Sequence, residues 1–170
     1  MPAPRKQPRT SLRVELTEDD GDWSRLEDAE AVIERAAGAV AAVMGRELRS
    51  GSVSVALSSD AHVAELNKRF RGIAKATNVL SFPAGAGAAD GHLGDIVLAW
   101  ETVEREAREQ DVWLEHHVQH LVVHGILHLL GYDHTTTADA ERMETLEIKI
   151  LSELGIANPY TGALETGTIE

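Results

Sequence analysis

The sequence predicts an α+β fold, a single domain with a mixed sheet of about four strands and about five helices. Three observations predict it. Short segments alternate apolar and polar residues with period two, as half-buried strands do. Longer segments repeat apolar residues at helical spacing. The two kinds are mixed along the chain without the strict alternation of a βαβ fold. At 170 residues the chain is one domain by size, and such a domain buries ~70% of its unfolded surface without any staple.

The elements follow in order. Residues 1–10, MPAPRKQPRT, hold three of the five prolines and three basic residues, the composition of a disordered tail. Leu12, Val14 and Leu16 alternate with Arg13, Glu15 and Thr17, a first strand. Leu26 to Met44 is alanine-rich and helical in spacing, with Gly45 as its stop. Ser52 to Leu57 alternates again. Asp60 to Phe70 reads as a short helix with Val63, Leu66 and Phe70 on one face. Thr77 to Phe82 is a third strand stopped by Pro83, and 84–91 (AGAGAADG) is a loop. Leu93 to Trp100 is a fourth strand, buried on both faces near Ile96, Val97 and Leu98. A charged helix follows from Glu101; Asp111 breaks it and caps a second, apolar helix that runs to Leu130 and ends at Gly131. Ala138 to Leu154 is a last amphipathic helix with Met143, Leu146, Ile150 and Leu154 inward and Gly155 as its stop. The expected division is a tail over 1–10, one domain over 11–157 and a C-terminal tail over 158–170.

Composition excludes several classes. There is no cysteine, so no disulfide framework, thiolate metal site or cysteine nucleophile. Any metal must be held by His, Asp or Glu. Aromatics are 4%, which argues against a base-stacking platform. The net charge of -12 argues against wholesale coating of nucleic acid. The longest run free of strongly polar residues, Ala36 to Gly45, is half the ~20 residues a membrane helix needs. No apolar segment follows the basic N-terminus, as a secretory signal would require. A soluble cytoplasmic protein is expected, with no membrane and no DNA partner.

Chemistry concentrates in HGILHLLGYDH. His124 and His128 are four apart, which stacks both imidazoles on one helix face. Gly131 permits a sharp reversal that returns His134 toward them. Three neutral imidazoles leave a fourth position open, the layout of a catalytic zinc site. Bound zinc there polarises a phosphoryl or carbonyl oxygen and lowers the pKa of its water. The spacing is that of the long zinc-protease motif, whose general base is a Glu after the first His. Here that residue is Gly125, so a peptidase lacks its base. His120, one turn back, is a weaker candidate to support a ligand. His116 and His117 read as solvated helix residues, and His62 and His92 as surface.

Lys68, Arg69, Arg71 and Lys75 fall within eight residues, a basic patch in an acidic chain. Arg71 is the residue best suited to a phosphate, because its fork binds two oxygens; the competing reading is a solvated helix end. Asp95 is either a turn residue or a buried acid behind the metal, and Asp133 shapes the turn before His134.

Three segments together, HGILHLLGYDH, LNKRFRGIAKATNVLSFP (66–83) and GDIVLA (94–99), resemble the YbeY family of bacterial zinc-dependent endoribonucleases, the rRNA maturation factors. The resemblance spans roughly 12–157. It implies a zincin-like motif helix in the core beside a mixed sheet. It implies His124, His128 and His134 as ligands of one Zn2+ and Arg71, with His124, as the residues that carry catalysis. It further implies single-strand-specific cleavage in 16S rRNA 3′ end maturation, ribosome quality control, and partners in ribosomal RNA and the small subunit or its proteins. The chain departs from the pattern at Ala76, where many members have proline, and at Asn78, where Asp is common. Two other functions compete: a ribosome assembly factor with a mainly structural zinc, and a zinc hydrolase for another substrate, against which Gly125 counts.

Overall fold

The computed structural model describes residues 12–45, 48, 51–85 and 91–160. The elements run β1 (Arg13–Glu18), a single 3-10 turn (Trp23–Arg25), α1 (Ala29–Met44), β2 (Ser52–Ser58), α2 (Asp60–Arg71), β3 (Val79–Pro83), β4 (His92–Ala99), α3 (Trp100–Gln110), α4 (Leu114–Leu129) and α5 (Thr137–Glu153). The expected α+β class and the four strands and five helices are present.

The sheet order is β1-β2-β4-β3. β1 and β4 lie parallel to β2, and β3 closes one edge antiparallel to β4. Side-chain alternation in β4 separates two layers. Ile96 and Leu98 face the main core with α1, α4 and α5, while Val97 and Ala99 join Val63 of α2 and Leu80 of β3 on the other face. That is why β4 reads as a continuous apolar run. The central helix is α4. Every residue from His117 to Leu127 is buried, as expected of a helix apolar on all sides.

The differences from the sequence reading have local causes. The first helix begins at Ala29, because Trp23 to Arg25 takes a 3-10 turn and Asp28 is left-handed (φ 53°). Pro83 belongs to β3; an edge strand tolerates a residue without an N–H. Asp111 does end α3, in a left-handed conformation (φ 58°), but does not cap α4, whose N-cap is Trp113. Phe70, on the same face as Val63 and Leu66, is 60% exposed. Burial falls along the stripe from Val63 through Leu66 to Phe70, as the end of α2 runs past its cover. The tail over 1–10 and loop residues 86–90 lie outside the described residues. Among the described residues no helix is long and apolar enough to cross a membrane.

Candidate metal centre

The centre is built by the C-terminal half of α4 and the turn that follows. Gly131 (φ 103°) ends the helix in a Schellman motif: its N–H donates to the His128 carbonyl (3.0 Å), and Tyr132 N–H donates to the Leu127 carbonyl (3.0 Å). A Cβ at that φ would be strained, so the reversal requires glycine. Asp133 then accepts from the Thr135 N–H and hydroxyl, as a turn-shaping residue should. The chain returns with His134 beside α4. Ring centroids of His134 lie 5.9 Å from His124 and 5.3 Å from His128. One nitrogen from each of the three rings lies within 4.8 Å of the others.

Hydrogen bonds set the tautomers. His124 Nδ1 donates to Glu147 Oε2, and His128 Nδ1 donates to the Tyr132 carbonyl (3.0 Å). With both Nδ1 atoms protonated, a neutral ring keeps its lone pair on Nε2. The two Nε2 atoms face each other at 3.1 Å. Two lone pairs at that distance repel unless a cation lies between them. The separation is close to that of two ligands around a tetrahedral ion with bonds of ~2.0–2.1 Å. Burial, which disfavours the charged form, holds the His128 imidazole down at about 4, so it is neutral and ready to ligate at pH 7. The three residues therefore fit a divalent cation. His124 is buried, His128 half-buried and His134 exposed, so the site opens to solvent on one side.

Sequence reasoning missed Glu147, which is fully buried on α5. Burial alone would raise its carboxyl, but His120 and His124 outweigh that and hold it at about 2. The stability it contributes is complete above its ordinary value of 4.5 and is lost as pH falls toward 2. Tyr160 donates its hydroxyl to Glu147 Oε1, so the segment read as a C-terminal tail over 158–170 holds a docked residue; 161–170 lie outside the described residues. Burial and the Glu147 charge push that phenol up, keeping it a donor. His120 Nε2 is buried 3.4 Å from Glu147 Oε1 without hydrogen-bond geometry, which puts His120 behind the ligand, as the weaker reading had it. A signal for Glu147 existed: it is the one charged residue on the stripe Met143, Glu147, Ile150, Leu151. A carboxylate holding a ligand imidazole typically contributes 10–100-fold to metal affinity. Glu147→Gln is expected to weaken binding of a divalent metal by roughly that range, as read by competition with a chromophoric chelator; an unchanged affinity would remove Glu147 from the centre.

Gly125 has a packing cause. A Cβ there would meet Ile96 Cδ1 at 3.0 Å and Ser81 Oγ at 3.1 Å. The Ser81 hydroxyl donates to the Gly125 carbonyl (3.3 Å), which ties α4 to the edge strand beside the histidines. Position 125 thus faces the sheet.

The remaining candidates separate. His117 is a correction: it is buried, not solvated, because its Nε2 meets Glu106 Oε1 of α3 at 2.9 Å. Asn78 Nδ2 donates to the same oxygen (3.0 Å), an interaction that an Asp there would replace with repulsion. His116, His62 and His92 are half-buried; the last two contact Ser58 (2.7 Å) and Ser52 (3.0 Å). Asp95 is exposed, which excludes the buried-acid reading. Lys68, Arg69, Arg71 and Lys75 are exposed at the end of α2 and in the turn after it, and among the described residues they form no ion pair. No hydrogen bond or ion pair links Arg71 to the three histidines. α2 lies on the sheet face opposite α4.

An α+β domain whose central helix and following turn bring three imidazoles together, the last of them exposed, defines a protein with a candidate histidine metal centre. The chain belongs to the YbeY family: residues 16–155 match the family model described as Endoribonuclease YbeY. It is 49% identical over 145 residues to the Endoribonuclease YbeY of Bradyrhizobium diazoefficiens, covering 81% of this chain and 79% of that one. It is 45% identical over 147 residues to that of Maricaulis maris, covering 86% and 91%. The solution structure of TM1509 from Thermotoga maritima is similar with a TM-score of 0.54 and 28% identity, covering 87% of this chain and 99% of that one.

Proposed function

We propose that the chain is a zinc-dependent endoribonuclease that cuts single-stranded RNA in the maturation of ribosomal RNA, at the 16S 3′ end, and in ribosome quality control. The observation that carries the metal-dependent part is the pair of Nε2 lone pairs at 3.1 Å with a third imidazole beside them. Family membership supports the endoribonuclease part. His124, His128 and His134 would hold the ion, and His124 and Arg71 carry the activity. Bound zinc supplies charge neutralisation at a scissile phosphate and an acidic water.

The chain's own residues do the rest. Glu147 fixes the His124 ring so that Nε2 faces the ion. The Tyr132 carbonyl does the same for His128. Arg71, exposed and without an ion-pair partner among the described residues, clamps a phosphate and places the strand. Exposure of His134 favours an enzymatic over a structural zinc, since structural sites are closed by four ligands. Binding should be weak and fall only modestly with salt, as only a few cations meet phosphate. Arg71→Ala is expected to retain one zinc per chain while cleavage of single-stranded ribosomal RNA falls by about 10–100-fold, a loss of one charge-assisted contact. Normal cleavage by that variant, followed on a denaturing gel, would remove the clamp.

A further inference from the structure

The sequence places Phe70 on one face of α2 with Val63 and Leu66, and the structure leaves it 60% exposed. One side of the ring rests on Phe82 of the edge strand, centroid to centroid 5.3 Å at 58°. The ring is thereby supported while most of its surface meets solvent. The Arg69 guanidinium lies 5.9 Å from its centroid, and Lys68 and Arg71 flank it in sequence. None of these cations has an ion-pair partner among the described residues. The other strongly exposed ring, Trp113 at 74%, stands in a stretch with Glu109, Asp111 and Glu115, which repels a polyanion. Low aromatic content argues against a platform of several rings. It leaves room for one supported ring among unpaired cations, the combination that binds single strands.

We propose that Phe70 is a base-stacking contact for unpaired RNA, with the flanking phosphates met by the cations around it. The inference rests on the endoribonuclease reading and extends it, because a paired base has no free face to offer the ring. It gives the preference for single strands a physical origin apart from the metal. Stacking on one ring is sequence-tolerant, so no base preference is expected.

The test uses the full-length chain, a fluorescein-labelled single-stranded RNA decamer, and the same strand annealed to its complement. Anisotropy is read with a chelator present so that the strand stays intact, and KM and kcat are measured separately on the zinc-loaded chain. Phe70→Ala is expected to weaken single-strand binding about tenfold, within the range of one base–aromatic stack. KM should rise by a similar factor with kcat little changed. Duplex affinity and the salt slope should stay as in wild type, since no charge is removed. Phe70→Tyr should restore binding and Phe70→Leu should not. Trp113→Ala serves as the control and should bind as wild type. Single-strand binding by Phe70→Ala within twofold of wild type, or full rescue by Phe70→Leu, would overturn the stacking role and leave Phe70 and the exposed Ile73 as an apolar contact for a protein. A wild-type chain that neither binds nor cuts RNA would instead overturn the ribonuclease reading, and stacking with it.

Discussion

Gly125→Glu is expected to destabilise the domain strongly rather than create a peptidase. The substitution restores the glutamate that zinc proteases carry after the first histidine of their motif. In this fold that position faces the sheet. The first added carbon already sits 3.0 Å from Ile96 Cδ1 and 3.1 Å from Ser81 Oγ. The rest of the side chain must displace Ile96, a fully buried core residue, and leave a carboxylate among apolar groups. Overpacking alone costs ~1–3 kcal/mol, and an unpaired buried charge adds more. A total of about 4 kcal/mol or more corresponds to a fall in Tm of roughly 10 °C for a chain of this size. Gly125→Ala should cost much less. Its contacts need only a few tenths of an ångström of relief, and the helix gains ~1 kcal/mol in propensity. Thermal unfolding checks both; a Glu variant within ~1 kcal/mol of wild type would mean that packing does not explain the glycine.

His124→Ala is expected to lose the metal, lose cleavage and destabilise even the metal-free chain. The first two follow from removing one of the three proposed ligands. The third follows from Glu147, whose charged form is held in the core by His124, His120 and Tyr160. Removing one partner of a buried pair costs ~3–5 kcal/mol, because it strands the other charge. His134→Ala separates the two roles. His134 is exposed and does not touch Glu147, so this variant should lose metal affinity while its metal-free stability stays within ~0.5 kcal/mol of wild type. Urea midpoints in the presence of a chelator distinguish them. Equal destabilisation by both variants would show that Glu147 does not depend on His124.

The cluster of His124, His128 and His134 was legible because its geometry is local. Four residues make one helical turn, and a glycine ends the helix before the third histidine. The strands were legible for a similar reason, since alternation in β1 and β2 and the apolar run in β4 report burial directly. What stayed hidden depends on partners distant in sequence. Glu147 reaches His124 across 23 residues, and the short distance exists only because α5 lies against α4. His117 looked solvated because its partner, Glu106, sits on a different helix. Phe70 fits the apolar stripe of α2 perfectly well; where the cover over that stripe runs out is a tertiary fact, and periodicity does not carry it. The role of Gly125 was half legible. The missing base shows in the sequence, whereas the reason for its absence needs Ile96 and Ser81 in place.

The most direct measurement is zinc content together with cleavage of single-stranded ribosomal RNA, on metal-replete, chelated and His124→Ala samples side by side. The expected result is about one zinc per wild-type chain, in line with a three-histidine centre. Cleavage should disappear on chelation and in the variant, and added zinc should restore it only to the wild-type chain. Cleavage that persists unchanged in the chelated and variant samples would contradict a catalytic zinc held by His124, His128 and His134.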